Sequence, residues 1–416
     1  MTEAEEINLE ISPTIKFFLS EKGKRIYYPK KGIGSQSKEA SECPVNATIG
    51  VAKDDNNKFM YLKSLHTSPV PYAPAYGIPI LRSIWRERIV GKNNIDHDNL
   101  SLPVVTSGIT SGLFIFGSLF LNEGDEVILP ELFWPNYNLA YKTYFNCNFK
   151  KYNTFKDDKL DMESFKNSIE NSNKRIIILN FPHNPTGYSP SKEEAVEMAE
   201  IISKVSTPSS PTLVLIDDAY LGLNYKETNF EHSMFKLLSN KENIVAVKAD
   251  GISKEYYSWG MRMGFLTISC GDNKDGNYEG MENKIAGLIR AQVSSVPRTS
   301  QEAFINAYGG KLEEEKRAND LILKERYEEL NLVYNSNDNY KNYFELVPSN
   351  SGYFFCIKPK MYNCDDLRLN LIKSYGIGVI STGGVLRVAL SSIKKSSIKY
   401  LLDSIAEEIK KLFDDI

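Results

Sequence analysis

Through the middle of the chain, short apolar runs alternate with longer stretches in which apolar and charged residues interleave. Val104-Val105, Glu126–Pro130, Arg175–Asn180, Leu213–Asp217 and Ile244–Val247 are rich in β-branched residues and bounded by Pro, Gly or Asp. Such runs, apolar on both faces, predict strands buried between two layers. The stretches between them, such as Lys192 to Val205 with its Glu, Ala, Met and Ile, predict helices. Strands that alternate with helices imply an α/β fold, a mostly parallel sheet with helices on both faces. From about Thr299 a charged helical pattern runs to about Tyr334, with no Gly or Pro after Lys311. It predicts a long helix joining this large domain to a smaller α/β C-terminal domain. The smaller domain should hold a strand pair around Glu345–Val347 and Gly352–Ile357, a strand in Gly384–Leu390 and a closing helix from Lys395. The expected division is an N-terminal arm over 1–50, the large domain over 51–310 and the small domain over 311–416. The turn-rich Lys/Gly/Ser sequence of the arm is expected to pack beside the C-terminal domain.

Ligands of open parallel sheets bind at the carboxyl ends of the strands. On that geometry alone, Ser107-Gly108, Asn180 with Asn184, Asp217 and Lys254 each follow a predicted strand and should converge.

Composition narrows the partners. A length of 416 residues suffices for two domains, and 42% hydrophobic with 25% charged residues is ordinary for a soluble globular protein. Lys+Arg number 50 against 53 Asp+Glu, a formal charge of -3, so there is no basic excess to suggest nucleic acid. An anionic ligand would have to be held by a few placed cations. Cys43, Cys147, Cys270, Cys356 and Cys364 are odd in number and form no Cys-x-x-Cys pair, which argues against a disulfide framework or zinc knuckle and fits a reducing cytosol. His66, His97, His183 and His232 are too dispersed to suggest a metal motif, and no metal is expected. Met1 to Glu10 carries four glutamates and no Lys or Arg, unlike a secretory or organellar leader. The longest apolar run, Gly112 to Leu121, is far short of the roughly 20 residues of a spanning helix. A cytoplasmic location is expected.

Several residues carry candidate chemistry. Lys254 lies in a Gly/Ser/aromatic loop, eight residues before Arg262; burial and a nearby cation would both ease loss of its proton. Asp217 ends an apolar strand, an expensive place for a carboxylate without a partner. Asp218 points to the opposite face if the strand continues. In Asn180-Phe-Pro-His-Asn184-Pro-Thr-Gly187 two prolines and a glycine fix the backbone around Asn184, so its amide is aimed. Ser107-Gly108-Ile109-Thr110-Ser111 precedes an apolar helix, and backbone N–H groups at a helix start bind anions. Arg387 sits mid-strand between apolar residues, where an inward guanidinium needs a carboxylate partner.

The Asn180–Gly187 motif, Asp217-Asp218-Ala219-Tyr220 and the Lys254-to-Arg262 run, in this order, resemble the fold-type I aminotransferases that use pyridoxal 5'-phosphate (PLP). The resemblance covers nearly the whole chain. The run Phe133-Trp134-Pro135-Asn136-Tyr137 and Asn46-Ala-Thr-Ile-Gly50-Val51 lean towards the aspartate/aromatic branch of that family. The resemblance implies that Lys254 holds the cofactor as a Schiff base and moves protons, while Asp217 keeps a proton on the ring nitrogen. It implies that Tyr220 and Asn184 hydrogen-bond the phenolic oxygen, that Trp134 stacks on the ring, and that Gly108, Ile109 and Thr110 bind the phosphate with Arg262. Tyr72, with Tyr76 as a neighbouring choice, would reach the phosphate from a second subunit, so a homodimer with shared sites is expected. Arg387, Asn184 and the Gly50 backbone would bind substrate. Arg290, with Arg298 as rival, would read a distal carboxylate across the dimer. One departure stands out: three residues before the lysine, where relatives usually carry a Ser or Thr hydroxyl, this chain has Gly251.

The expected function is transfer of an amino group between an amino acid and a 2-oxo acid. The expected pair is aspartate, glutamate or an aromatic amino acid with 2-oxoglutarate. The same fold also supports β-lyase, decarboxylase or cyclopropane-forming chemistry. A transcription regulator would need a DNA-binding module, for which neither the charge balance nor the acidic start gives a sign.

Overall fold

The computed structural model describes residues 2–28, 69–95, 100–170, 172, 174–273 and 276–414. Gly50 and its predicted strand, with Cys43, His66 and His97, lie outside the described residues.

Among the described residues, nine strands precede the C-terminal part: β1 (Val104–Thr106), β2 (Glu126–Pro130), β3 (Asn148–Tyr152), β4 (Phe155–Lys156), β5 (Lys159–Leu160), β6 (Arg175–Asn180), β7 (Thr212–Asp217), β8 (Ile244–Gly251) and β9 (Gly264–Cys270). Seven of them form one sheet in the order β1-β9-β8-β7-β6-β2-β3. The run from β3 through β2, β6 and β7 to β8 is parallel. β9 is inserted antiparallel between β8 and β1. The central strands β6, β7, β8 and β9 are buried at every position, as a sheet covered on both faces requires. The helix Lys192–Val205 starts with a capping box between Ser191 and Glu194, which satisfies N–H groups that a helix start leaves free.

Two strands of this sheet escaped the sequence reading. β3 is an edge strand of mixed burial with no apolar run. β9 is buried throughout, but it carries Thr267 and Ser269 and leaves the Lys254 loop so directly that it reads as part of that loop.

The C-terminal part has its own core and a four-stranded antiparallel sheet. Its strands are β10 (Phe344–Leu346), β11 (Phe354–Pro359), β12 (Ile380–Thr382) and β13 (Val385–Ala389), in the order β10-β11-β13-β12. Helices Cys364–Tyr375 and Ile398–Asp414 belong to it. The expected single connecting helix is two, Arg298–Ala307 and Leu312–Asn335, because Gly309 takes φ +80° and ends the first.

The N-terminal segment corrects the expectation made for it. Residues 2–28 pack on the large sheet's core and not beside the C-terminal sheet: Ile7, Ile11, Ile15 and Phe18 belong to the large core cluster. These residues recur at helical spacing and form an apolar stripe that must be covered, a pattern obscured by the turn-rich sequence that follows. Lys284, itself buried, fixes the end of the segment by donating to the carbonyls of Gly23 (2.7 Å), Ile26 (3.0 Å) and Lys24 (3.2 Å). Among the described residues no helix is long and apolar enough to cross a membrane.

Removing the Lys284 ammonium strands those three carbonyls. Lys284→Met should therefore destabilise the protein by about 2–3 kcal/mol in chemical denaturation and speed tryptic cleavage at Arg25. An unchanged denaturation midpoint would show that water replaces the lysine without cost.

Candidate active site

The carboxyl ends of β6, β7 and β8 open on a cavity of about 280 Å³ whose lining includes Ile109, Thr110, Trp134, Asn184, Asp217, Tyr220, Lys254, Arg262 and Arg387. Residues separated by more than 270 positions in the chain thus share one wall.

Strand alternation separates the two aspartates. Asp217 faces the cavity end; its Oδ2 accepts from the Tyr137 hydroxyl at 2.6 Å and its Oδ1 from the Ala219 N–H at 3.2 Å. Burial dominates these bonds and pushes its carboxyl up to about 6. Asp218 turns to the other side, where it accepts from Ser233 Oγ at 2.6 Å and from the buried Lys248 ammonium. Lys248 also meets Asp250 at 3.1 Å, and Asp250 accepts from Trp85 Nε1 at 2.9 Å. Asp218 is therefore spent on a closed ion network, and Asp217 carries the carboxylate that the cavity can use.

The Asn180–Gly187 turn is held from within and from outside. Asn180 donates to the Asp217 carbonyl at 2.8 Å and accepts from the Asn184 N–H at 2.9 Å. The Phe181-Pro182 peptide is cis. Gly187, at φ +71°, offers its carbonyl to the N–H groups of Asn350 and Ser351, each at 2.8 Å. A side chain at 187 would strike the Phe354 carbonyl, so the turn and the C-terminal sheet meet backbone to backbone. Asn184 Oδ1 accepts from Arg387 Nη1 at 3.2 Å.

Arg387 stands on β13 with its guanidinium carbon 4.4 Å from the Phe354 ring centre. Its Nε is buried and has no hydrogen-bond partner among the described residues. A planar guanidinium lining a cavity has the geometry to pair with a carboxylate bidentately.

Lys254 lies in the short turn Ile252–Glu255 that follows β8. Burial, and then the charge of Arg262, lower its pKa, which favours the neutral amine. The next residue, Glu255, is buried and paired with Lys92 and with Arg88 at 2.9 Å; against the cost of burial, these cations hold it down at about 2. Because Arg88 and Lys92 belong to the helix Pro79–Asn93, that helix anchors the far side of the lysine turn.

Gly108, at φ +79°, starts the helix Ile109–Phe120, and a Cβ there would collide with the Arg262 guanidinium. The helix N–H groups and Arg262 thus form one cradle for an anion. Gly251 has a local reason. A Cβ at 251 would fall 2.7 Å from both Gly264 Cα and the Met263 carbonyl, so the hydroxyl that relatives usually carry there has no room in this backbone.

Trp134 lines the cavity and meets Tyr137 edge-on at 5.5 Å. Other predicted residues are not brought together within one chain. Tyr72 is 67% exposed and away from the cavity. Tyr76 packs inward against Asn283, Arg82 and Tyr28, which leaves Tyr72 as the tyrosine free to reach elsewhere. Arg290 is exposed and donates to Ser294 Oγ at 2.7 Å, whereas Arg298 is paired with Glu302 at 2.6 Å. Neither arginine lines the cavity. The sequence reading gave no role to Tyr137 or Phe354. Tyr137 follows Trp134 by three positions, a spacing that places both on one side of a turn; Phe354 carries no such local signal. Among the described residues no group of three or more His, Cys, Asp or Glu is placed to hold a metal ion.

The sheet with an inserted antiparallel strand, a lysine, an aspartate and an arginine at its carboxyl edge, and Arg387 facing them from the C-terminal sheet make the architecture of a fold-type I aminotransferase. Residues 65–405 match the family model for aminotransferase class I and II, and the chain belongs to that family. An aspartate aminotransferase of Bacillus sp. (strain YM-2) is 26% identical over 65% of this chain and 66% of its own length. A probable aspartate/prephenate aminotransferase of Rickettsia bellii (strain RML369-C) is 31% identical over 62% of this chain and 60% of its own. The matches thus span about 60–66% of these curated relatives. Among solved structures, an aminotransferase from Anaerococcus prevotii has the same fold, with a TM-score of 0.73, 24% identity and coverage of 91% of this chain and 95% of that one.

Asp217 yields a pH test. Its carboxyl titrates at about 6 in the folded protein against an ordinary value of 3.8, so folding favours the protonated form. Its contribution is fully present below pH 3.8 and is lost as pH rises through about 6. In cofactor-free protein, Asp217→Asn should gain on the wild type across that window, approaching about 3 kcal/mol above pH 6. Thermal midpoints of the two proteins measured across the window check this; a difference independent of pH contradicts it.

Proposed function

We propose that this protein is a PLP-dependent aminotransferase that moves an amino group between an amino acid and a 2-oxo acid. The observation that carries the reading is the convergence on one cavity of Arg387, a lysine of lowered pKa, a buried carboxyl and a glycine-started helix faced by Arg262. These features fit the cofactor part by part. The glycine-lined start of Ile109–Phe120, with Thr110 and Arg262, suits a phosphate. Trp134 offers a face for the ring, and Asp217 can hold a proton on the ring nitrogen. Tyr220, beside Asn184 and Arg387, can hydrogen-bond the phenolic oxygen together with Asn184.

Bound PLP supplies an electron sink for the α-carbon. Arg387 binds the substrate carboxylate through its fork, with Asn184 at its side. The Lys254 amine, easily deprotonated, would take the substrate's α-proton and hold it for return. In this reading Gly50 lends a backbone amide near the substrate, and Tyr72 serves the phosphate of a partner subunit in a homodimer. Arg290 then reads the distal carboxylate of aspartate or glutamate; aromatic donors with 2-oxoglutarate are the other expected use. Cysteines 147, 270, 356 and 364 are free, which suits our placement of the protein in the cytoplasm.

Purified protein should absorb as a lysine–PLP Schiff base, and Lys254→Ala should abolish that band and lower turnover by several orders of magnitude. Near-normal turnover by Lys254→Ala without added amine would sink the assignment. Product analysis separates transamination from lyase or decarboxylase chemistry, since repeated transamination turnover needs a 2-oxo acid.

Substrate choice is tested by Arg290→Ala. The variant should lose about 2–5 kcal/mol of transition-state stabilisation for aspartate or glutamate and spare a neutral donor, read as kcat/KM for each. If both fall together, or neither changes, Arg290 does not read the side chain.

A further inference from the structure

Two successive residues at the start of β11 reach two different parts of the site. Phe354 lies under the Arg387 guanidinium. Tyr353, only 5% exposed, donates its hydroxyl to the carbonyl of Lys254 at 3.1 Å. Its ring stacks on Tyr257 at 6.1 Å and 25° and tilts against Tyr220 at 5.4 Å. Tyr257 in turn meets Trp259 edge-on at 6.2 Å, and the Trp259 carbonyl accepts from Arg262 Nη1 at 2.8 Å. One phenol therefore touches the lysine turn and the tyrosine beside Asp217, and reaches the arginine turn through Tyr257.

The lysine turn needs such a contact. Ile252–Glu255 is a single helical turn, and an isolated turn of that length does not hold its own geometry. Its own closing bonds are Tyr256 N–H to the Ile252 carbonyl at 3.0 Å and Tyr257 N–H to the Lys254 carbonyl at 3.3 Å. Glu255 is fixed on one side by Arg88 and Lys92. On the other side, the contact with the C-terminal sheet is the Tyr353 hydroxyl. β11 pairs with β13, with Phe354 opposite Ala389 and Cys356 opposite Arg387. The hydroxyl thus links the backbone bearing the amine to the sheet bearing the carboxylate receptor. Burial raises the phenol's pKa, so it remains a donor at neutral pH.

We propose that Tyr353 is a positioning residue, whose hydroxyl ties the Lys254 backbone to the C-terminal sheet and sets the distance between the Lys254 amine and Arg387. The proposal rests on the reading of Lys254 as the imine-forming lysine. A ring alone would fill the space, so the hydroxyl is the part to remove. Tyr353→Phe keeps the stack and takes away one donor.

The test uses the cofactor-loaded enzyme. In Tyr353→Phe, kcat should fall about ten- to a hundred-fold, the cost of a misplaced reacting group, with KM for the amino acid little changed. The pH midpoint of the Schiff-base absorption should move by about half a unit, a threefold change in the protonation equilibrium. Tyr257→Phe is the control: it removes a hydroxyl that bonds Asp320 at 2.6 Å from the same stack, and should leave that midpoint in place. An unmoved midpoint with unchanged kcat, equal shifts in both variants, or a lower thermal midpoint alone would each overturn the positioning role. Absence of a Schiff-base band in the wild type would instead overturn the functional reading beneath it.

Discussion

Much of this site depends on how closely three stretches of backbone approach at Gly264. It pairs with Thr106 of β1 on one side and with Gly251 of β8 on the other. A Cβ at 264 would stand 2.7 Å from Gly108 C and from Ile109 N, so no side chain fits. This contact sets the start of the helix Ile109–Phe120, the end of the strand before Lys254 and the turn bearing Arg262 within one small volume. The antiparallel insertion of β9 makes it possible. Because β9 enters between two strands that run parallel to each other, its first residue meets both of their carboxyl ends.

A second constraint is electrostatic. Asp217 and Asp218 are adjacent and both buried, yet the pleat sends them to opposite faces, where they meet opposite fates. Asp218 joins Lys248 and Asp250 in a network closed by Ser233 and Trp85. Asp217 has only a phenol and a backbone N–H, and its carboxyl is left poised for a cationic partner. A buried group compensated by the protein is structure; one left partly uncompensated beside a cavity is a functional candidate. The same contrast separates Glu255, held by two cations, from the neighbouring Lys254, whose ammonium is disfavoured by burial and by Arg262.

The C-terminal sheet contributes more than Arg387. Its entry residues 350–352 clamp the turn around Asn184 through Gly187, and β11 supports both Arg387 and the lysine turn. Arg387 and Lys254 thus stand on two sheets that touch through a few hydrogen bonds and stacked rings, and the proposed function divides substrate recognition and proton transfer between them.

Local pattern by itself determined the parallel strands β2, β6, β7 and β8, since buried strands need unbroken apolar runs, and it determined the separation of Asp217 from Asp218, since the pleat has period two. The family motifs singled out Lys254, Asn184, Tyr220 and Arg262, because cofactor chemistry ties residue types to fixed local spacings. The amphipathic N-terminal helices went unread because the turn-rich sequence after them masked a stripe whose cover, the large core, is distant in the chain. Only the tertiary structure decided that Gly251 has no room for a hydroxyl, that Tyr137 meets Asp217, and that Tyr353 and Phe354 touch the Lys254 turn and Arg387. It also decided that Tyr76 is committed inside the chain while Tyr72 is exposed. Each of these is a contact between segments far apart in sequence, and no local periodicity encodes which distant backbone will arrive opposite a given residue.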